Sequence, residues 1–440
     1  MSSLFVLLVV LGVLPLILMR PLVGVLAWAW LSYMTPHKLV YGFATTMPFL
    51  DLVAICTAIA LILNRDRKQA PIHALLVPLA IYVVWFSLTT ALSQSFELSI
   101  EKYTNSLKAV LLALLVPVVT YSRFRMTAVV LSIAGSLGYF GLKGGLFTLA
   151  TGGQFQVLGA PGTFLGDRND LALALAMTIP LWRFVQLHPV RMGFISPKLM
   201  SLFAVFMMVM TAVAVVGSQS RGGFLTLGAL SLWLILLSRR RILLLVTVGA
   251  LGAAILNFMP DTWHSRMETI ESYDQDASAR SRMQMWRYGI ELADDYPLGI
   301  GFRAYRMRNV AADYLPEGIK MRASHSIYFE VLGEHGYIGL FLYLFMNAAT
   351  YFTCSEVKRQ ARQLRMTWAY DLATMVQIML VSFAVGGALL EVASFDLAYQ
   401  LIGIAMALHL IVRQRLAGQP ATAAPPALPD LKSPVATPTA

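Results

Sequence analysis

The side chains best suited to chemistry in this chain are a histidine, a tyrosine and several arginines near the ends of long apolar segments. His325 occurs in Ala-Ser-His325-Ser-Ile-Tyr328, where a polar loop re-enters an apolar segment, within reach of water and lipid head groups. Imidazole is the side chain best matched to general base work near neutral pH. We predict that His325 is a catalytic base and that Tyr328 contacts the substrate. The alternative is a structural histidine at a membrane boundary.

Arginines are numerous on the same side of the predicted membrane. The loop 260–326 holds eight of them, and Arg221 lies between small residues at the mouth of another apolar segment. A guanidinium group offers a rigid fork of donors that matches phosphate or carboxylate. We predict catalytic roles for Arg221 and Arg282 and substrate binding by Arg168, Arg280 and Arg303. The alternatives are ion pairs with the ten acids of the loop, solvation at the surface, and snorkelling.

One sequence pattern favours a metal ion. Asp274-Gln-Asp276 has the Asp-x-Asp form that binds Mg²⁺ or Mn²⁺ in many nucleotide-sugar transferases. It lies in a loop rich in Ser and Asp, where such a pattern arises by chance, and no histidine pair has zinc spacing. We predict no metal site and no cofactor.

Composition identifies the elements that must position these residues. Hydrophobic residues make up 58% and charged residues 13%, at a mean hydropathy of +0.67, whereas soluble proteins carry about 25% charged residues. The apolar residues form blocks of about 20, the length of a membrane-spanning helix. This excludes a water-soluble enzyme and an outer-membrane barrel. The net charge of +11 reflects basic cytoplasmic loops rather than nucleic-acid binding. The two cysteines, Cys56 and Cys354, do not indicate a disulfide framework.

We expect an all-α polytopic membrane protein with about 12 transmembrane helices. The predicted domains are N-terminal transmembrane helices (1–259), a large periplasmic loop (260–326), C-terminal transmembrane helices (327–416) and a disordered cytoplasmic tail (417–440). The second apolar block follows Arg20-Pro21 and has only about 13 residues, which leaves the side of the N-terminus open. The apolar blocks are 3–19, 21–33, 48–63, 74–93, 106–121, 126–149, 169–187, 199–217, 222–238, 242–259, 327–353, 371–390 and 397–412.

The charges of the connections assign their sides. Dense positive charge at 64–72, 122–126, 183–198, 238–241 and 355–365 places these connections in the cytoplasm. The others, including 260–326, then face outward. Within that loop, 281–295 has helical spacing, and we expect Met283, Trp286, Ile290 and Leu292 to form its apolar stripe.

The segment that follows His325 resembles a known signature. His325-Ser, nine residues and then Gly336-x-x-Gly339 is similar to the signature of the O-antigen ligase and O-antigen polymerase family of membrane glycosyltransferases. Upstream, Arg282-x-x-x-Trp286 resembles the Arg–Trp pair of the same family.

Three further stretches bear on this resemblance. Asp-Tyr-Pro297-Leu-Gly-Ile-Gly301 is similar to the family's Pro-Leu-Gly-Val-Gly stretch, and Ser-Arg221-Gly-Gly resembles its boundary-arginine motif. The resemblance covers roughly residues 160–350. Arg168 departs from it, because the family more often has Asp-Pro-Asn or Asp-Asn-Asn there. Residues 20–37 also resemble putative O-glycosylation ligases found near exosortase-type loci.

The resemblance implies a GT-C type architecture and a specific reaction. Members of the family transfer a glycan from undecaprenyl pyrophosphate to an acceptor hydroxyl on the outer face of the bacterial inner membrane. His325 would deprotonate the acceptor, and Arg221 and Arg282 would stabilise the departing pyrophosphate. Direct attack would invert the anomeric configuration. We expect lipid A–core as the acceptor, membrane lipids as further partners and no nucleic acid.

Other functions remain open at this level. A polymerase of lipid-linked repeat units and a protein O-oligosaccharyltransferase need the same donor and differ in the acceptor. A transporter of an anionic lipid would use the same arginines but would place charges near the middle of the bilayer. The candidate charges cluster at the outer boundary instead, which favours chemistry at the membrane surface.

Overall fold

The computed structural model describes residues 2–64, 70, 72–191, 193, 195–237, 241–261, 263–264, 277–316 and 321–418. This part of the chain is helical and contains no β-strand, as predicted. Asp274, Asp276 and Arg266 lie outside the described residues, and so does the predicted disordered tail from residue 419 onward.

In the described ranges we number fifteen α-helices along the chain. They are α1 Ser3–Met19, α2 Pro21–Tyr33, α3 Phe49–Leu63, α4 Leu76–Ala91, α5 Phe96–Val119, α6 Arg123–Ala150, α7 Arg168–Leu187, α8 Pro197–Gly217, α9 Arg221–Leu237, α10 Arg241–Phe258, α11 Ala277–Asp295, α12 Arg308–Ala311, α13 Ile327–Gln363, α14 Thr367–Gly387 and α15 Asp396–Leu416.

The chain is a multi-pass membrane protein. Of the described helices, eight are long and apolar enough to cross a membrane: α5, α6, α7, α8, α10, α13, α14 and α15. The apolar helices α1, α3, α4 and α9 are shorter, with 10–17 residues each. Length and composition therefore support eight spans, and the count of about 12 remains a prediction.

Every predicted apolar block contains a helix, but two helices extend well beyond their blocks. α5 begins at Phe96 rather than near 106, and α13 continues to Gln363 rather than ending near 353. The additional ten residues at the start of α5 include Glu97, Glu101 and Lys102, which are not part of the apolar pattern. Between α1 and α2 the break predicted at Arg20-Pro21 is present, because proline starts a helix well at its first position but lacks the N–H that would continue one.

The helices pack around α7, which is buried along most of its length and contacts α6, α8, α9 and α14. α15 is similarly buried and packs on α5, α13 and α14. α10 is the opposite case: it packs on α9 and none of its side chains is buried. The bundle therefore has a dense centre and one loosely attached helix at its side.

The loop after α10 has a small apolar core of its own. Met285, Tyr288 and Leu292 of α11 pack there with Ile300 and Tyr305. The stripe predicted for this helix was therefore partly wrong. Leu292 is buried as predicted, but Met283 and Ile290 are exposed. The buried face is rotated toward Tyr288, whose ring contacts those of Tyr305 and Tyr314 later in the loop.

The glycines of the Pro297-Leu-Gly-Ile-Gly301 stretch allow it to pack backbone against backbone on α13. That helix is kinked at Gly336, where φ is 66° and ψ is −172°, a region open essentially to glycine. A Cβ atom on Gly336 would lie 2.2 Å from the carbonyl oxygen of Pro297, and one on Gly299 would lie 2.5 Å from that of Glu334. The two glycine-containing motifs are thus halves of one tight contact that fixes the loop on the start of α13.

Candidate active site

His325 lies in an irregular segment just before α13 and is half-buried. Its φ of 48° is in the left-handed region, which non-glycine residues seldom adopt. Such strain persists only where the surroundings enforce it, and it is found preferentially at functional sites. Two hydrogen bonds to the backbone of the preceding residue, Ser324, enforce this conformation. Ser324 N donates to Glu391 Oε2 at 2.8 Å, and Trp286 Nε1 donates to Ser324 O at 2.8 Å.

Trp286 connects the loop helix α11 to this segment. Its indole also stacks on Phe329 in the first turn of α13, with centroids 4.9 Å apart and an interplanar angle of 9°. Arg282 lies one helical turn before Trp286, and therefore on the same face of α11. The spacing of the Arg–Trp pair therefore places both side chains near His325. Trp286 fixes the backbone beside the histidine, and Arg282 lies close enough to act on its charge.

Burial and two nearby arginines keep the imidazole of His325 neutral. Burial lowers the pKa of His325 below its ordinary value. Arg282 and Arg322 lower this pKa further, whereas Asp167 opposes them. A histidine with a lowered pKa is unprotonated at neutral pH and can accept a proton, so the electrostatics suit a general base.

Arg168 and Arg221 begin two neighbouring helices, α7 and α9. Arg168 Nη1 donates to the carbonyl oxygen of Gln219 at 3.3 Å, two residues before Arg221. Ser220 caps α9 by accepting from Gly223 N at 3.0 Å. These contacts bring the two arginines to the same end of the bundle.

The loop between α14 and α15 joins this arginine pair to the histidine segment. A Cβ on Gly222, next to Arg221, would lie 3.8 Å from Leu389 Cβ, and two residues later Glu391 holds Ser324. Asp167, the residue before Arg168, acts electrostatically on His325. The structure therefore places Arg168, Arg221, Arg282 and His325 at one end of the bundle, on four different elements.

The other predicted substrate-binding residues, Arg303, Tyr328 and Arg280, lie in different settings. Arg303 Nη2 pairs with Glu101 Oε2 at 2.9 Å, and its backbone N–H donates to Glu334 Oε1 at 2.6 Å. Tyr328 Oη donates to the carbonyl oxygen of Ala384 at 2.8 Å. Arg280 is exposed near the start of α11. Arg303 and Tyr328 thus have protein partners that fix them, and their predicted contact with substrate would add to those bonds.

Sequence reasoning missed a buried ionic cluster behind the site. Lys102 Nζ lies 2.6 Å from both Glu330 Oε1 and Glu334 Oε1, and the two carboxylates are only 2% exposed. Glu330 Oε2 also accepts from Ala393 N at 2.8 Å. The cluster joins α5 to α13 and to the loop that holds Glu391. The i, i+4 spacing of the two glutamates on an apolar helix was the available signal, because paired acids there need a buried cation.

His335 follows this cluster and is fully buried. Its Nδ1 is 2.7 Å from Thr89 Oγ1, and its carbonyl oxygen accepts from Trp85 Nε1 at 2.9 Å. These contacts give it a structural role. No three His, Cys, Asp or Glu side chains within the described ranges gather as a metal site. The Asp-x-Asp pair is outside those ranges, so the absence of a metal remains a prediction.

Comparison with known protein families bears directly on this end of the bundle. Residues 206–344 match the family described as O-Antigen ligase. The match contains Arg221, Arg282 and His325, and it confirms the resemblance predicted from the motifs. Residues 1–190 match a family of unknown function, DUF5935, which assigns no activity. No curated protein matches the chain.

Proposed function

We propose that this chain transfers a glycan from undecaprenyl pyrophosphate to a sugar hydroxyl of lipid A–core. Its O-antigen ligase domain supports the proposal, because that family consists of membrane enzymes of the ligase or polymerase type. The proposed site is the cluster of Arg221, Arg282 and His325. It faces the periplasm from the bacterial inner membrane, within a GT-C type bundle of about 12 spans that counts the shorter apolar helices with the eight longer ones.

One observation carries the proposal: Trp286 and Glu391 fix the backbone beside His325 from two sides. They hold the backbone of His325 in a left-handed conformation, and its neutral imidazole lies near an arginine. A structural histidine would not require a strained backbone held from two separate elements. A base that must meet an acceptor hydroxyl benefits from both features.

The reaction that fits this arrangement is a direct displacement. The acceptor oxygen attacks the anomeric carbon as His325 takes its proton, and the bond from that carbon to the pyrophosphate oxygen breaks. The electron pair leaves on undecaprenyl pyrophosphate, so negative charge grows beside Arg221 and Arg282. Their guanidinium groups stabilise this charge without a divalent ion. Attack opposite the leaving group inverts the anomeric configuration.

Arg168, Arg280, Arg303 and Tyr328 complete the proposed substrate contacts. Arg168 supports this assignment best because its bond to Gln219 places it beside the start of α9. Exposed Arg280 would reach glycan or phosphate from the loop side.

The experiment incubates the purified protein with a glycan linked to undecaprenyl pyrophosphate and offers three acceptors separately. These are lipid A–core, a second copy of the lipid-linked glycan and an unfolded Ser/Thr-rich protein. We expect glycan transfer to lipid A–core, seen as a shift on a gel, together with release of undecaprenyl pyrophosphate. Transfer only to the second glycan would show a polymerase, and transfer only to the protein an O-oligosaccharyltransferase. Either result would overturn the proposed acceptor while leaving the donor chemistry intact.

A further inference from the structure

A large apolar cavity lies among α7, α8, α9, α10 and α14, apart from the histidine segment. Its volume is about 1510 Å³, which exceeds the roughly 300–1,000 Å³ of an ordinary small-molecule pocket. Aliphatic side chains form most of its wall, for example Leu230, Leu234 and Leu251. The loose attachment of α10 leaves this space open. Its size and lining suit hydrocarbon chains.

One end of the cavity is basic. Arg183, Arg362 and Arg365 line it together with Tyr370 and Asp371. Arg362 Nη2 donates to Tyr370 Oη at 3.1 Å, and its guanidinium lies 5.2 Å from the centre of that ring. Among the described residues that line the cavity, Asp371 is the one acid.

Three arginines against one acid give the basic end an excess of positive charge. Asp371 Oδ2 is 2.8 Å from His188 Nε2. Within the described ranges, Arg183, Arg362 and Arg365 form no ion pair. Three cations at the mouth of an apolar cavity are complementary to an anionic group that carries apolar chains.

The basic end lies across the bundle from the candidate active site. Along α7, Arg183 follows Arg168 by 15 residues, which corresponds to about 22 Å at the helical rise. The course of α14 gives the same separation. Tyr370 and Asp371 lie near its start, and it ends at Gly387, next to the loop that contacts the candidate active site. An anionic group that binds at this end would therefore lie at the face of the membrane opposite the candidate active site. A polyprenyl pyrophosphate bound at Arg221 would bring only its uncharged tail to this depth.

We propose that the cavity binds an anionic glycerophospholipid of the opposite leaflet. Its acyl chains fill the space beside α10, and its phosphodiester contacts Arg183, Arg362 and Arg365. Basic pockets between membrane helices on the cytoplasmic side bind such head groups. The guanidinium fork of arginine also matches the geometry of phosphate oxygens. The lipid closes the gap between α10 and the rest of the bundle. This inference stands independently of the proposed glycan transfer.

Lipid retention tests the charge requirement. The purified full-length protein is mixed with phosphatidylglycerol, cardiolipin or phosphatidylcholine, and bound lipid is counted by native mass spectrometry. We expect both anionic lipids to bind more tightly than phosphatidylcholine, and the triple variant R183Q/R362Q/R365Q to bind them about 100-fold more weakly, since each cation contributes about fivefold. Arg359→Gln is the matched control, because Arg359 is exposed on the same helix as Arg362 and pairs with Glu356 instead. Unchanged binding in the triple variant, or equal retention of phosphatidylcholine, would overturn the proposal.

A pair of glycine variants tests the cavity without touching any charge. Gly252 lines the cavity and Gly249 does not, although both are on α10. A Cβ atom at either position meets nothing within 4 Å, so a side chain can start at either position without a clash. We expect Gly252→Phe to reduce retention of phosphatidylglycerol at least about tenfold and Gly249→Phe to leave it unchanged. Equal retention by the two variants contradicts the proposal. So does displacement of the anionic lipid by undecaprenyl phosphate in a manner insensitive to the three arginines, because that would identify the cavity as a tail site.

Discussion

The backbone beside His325 is held by two bonds that can be removed separately. Glu391→Leu removes the carboxylate that accepts from Ser324 N and leaves no acceptor in its place, and Trp286→Phe removes the indole N–H that donates to Ser324 O. Phenylalanine keeps an aromatic ring to stack on Phe329. Neither change alters His325 itself. Glu391 and Trp286 are positioning residues in this account, and their effects should pass through the histidine.

The expected size of the effect follows from the strain that these bonds oppose. A non-glycine residue at a φ of 48° costs on the order of 1–3 kcal/mol. A bond to a carboxylate contributes about 1.5–3 kcal/mol and a neutral one about 0.5–1.5 kcal/mol. Since 1.4 kcal/mol is tenfold, we expect Glu391→Leu to lower kcat about 10- to 100-fold and Trp286→Phe about 3- to 10-fold. The KM for the donor should change little.

A double-mutant cycle with His325→Ala separates positioning from general damage. In that background both changes should have less than about a twofold effect, because there is no imidazole left to position. Tyr337→Phe is the matched control. It removes a 2.8 Å bond to Asp294 that also joins α13 to α11 but lies away from Ser324. If Glu391→Leu lowers transfer as much without His325 as with it, or if Tyr337→Phe has the same effect, the positioning role is refuted.

Three further predictions test the charges. Arg221→Lys and Arg282→Lys should each lower transfer at least about tenfold, because lysine keeps the charge but loses the fork; normal transfer by both variants would refute bidentate phosphate recognition. Transfer should run at full rate in excess chelator and be nearly unchanged in Asp274→Ala and Asp276→Ala; activity lost in EDTA, restored by Mg²⁺ and abolished in the Asp276 variant would show a metal mechanism. Because the pKa of His325 is lowered, kcat/KM should rise with pH through an apparent pKa below about 6.5 and then level off. In Asp167→Asn, which keeps the helix cap, that limb should move to lower pH, and a shift upward would contradict the assignment.

The helical content could be predicted from the sequence because each apolar block is long enough to form a helix by itself. The start of α5 could not, since Lys102 and its neighbours become compatible with the bundle only through acids more than 200 residues away. Similarly, the pattern of α11 indicated a helix but gave the wrong face for Met283 and Ile290. Which face is buried depended on the fold of the residues that follow it.

Within the candidate site, sequence patterns identified residues but not the contacts between them. The Arg–Trp and His–Ser motifs were recognisable, yet only the fold shows that Trp286 bonds to Ser324 and thereby joins them. Glu391 gave no sequence signal, because a single acid in a short loop has no periodicity. Arg303 was chosen for its type, and the structure gives it a partner in Glu101. Residue type predicts which chemistry is available, and long-range contacts decide which residues take part.

The most direct test of the central claim is a single-turnover measurement on His325 variants. Wild type, His325→Ala and His325→Asn are loaded with a radiolabelled glycan on undecaprenyl pyrophosphate, and transfer is followed after lipid A–core is added. Asparagine is included because it tolerates a positive φ and so preserves the backbone. The account predicts that both variants bind the donor as wild type does and transfer it about 10²- to 10⁴-fold more slowly. Transfer within a few-fold of the wild-type rate in either variant would contradict the role of His325 as the base.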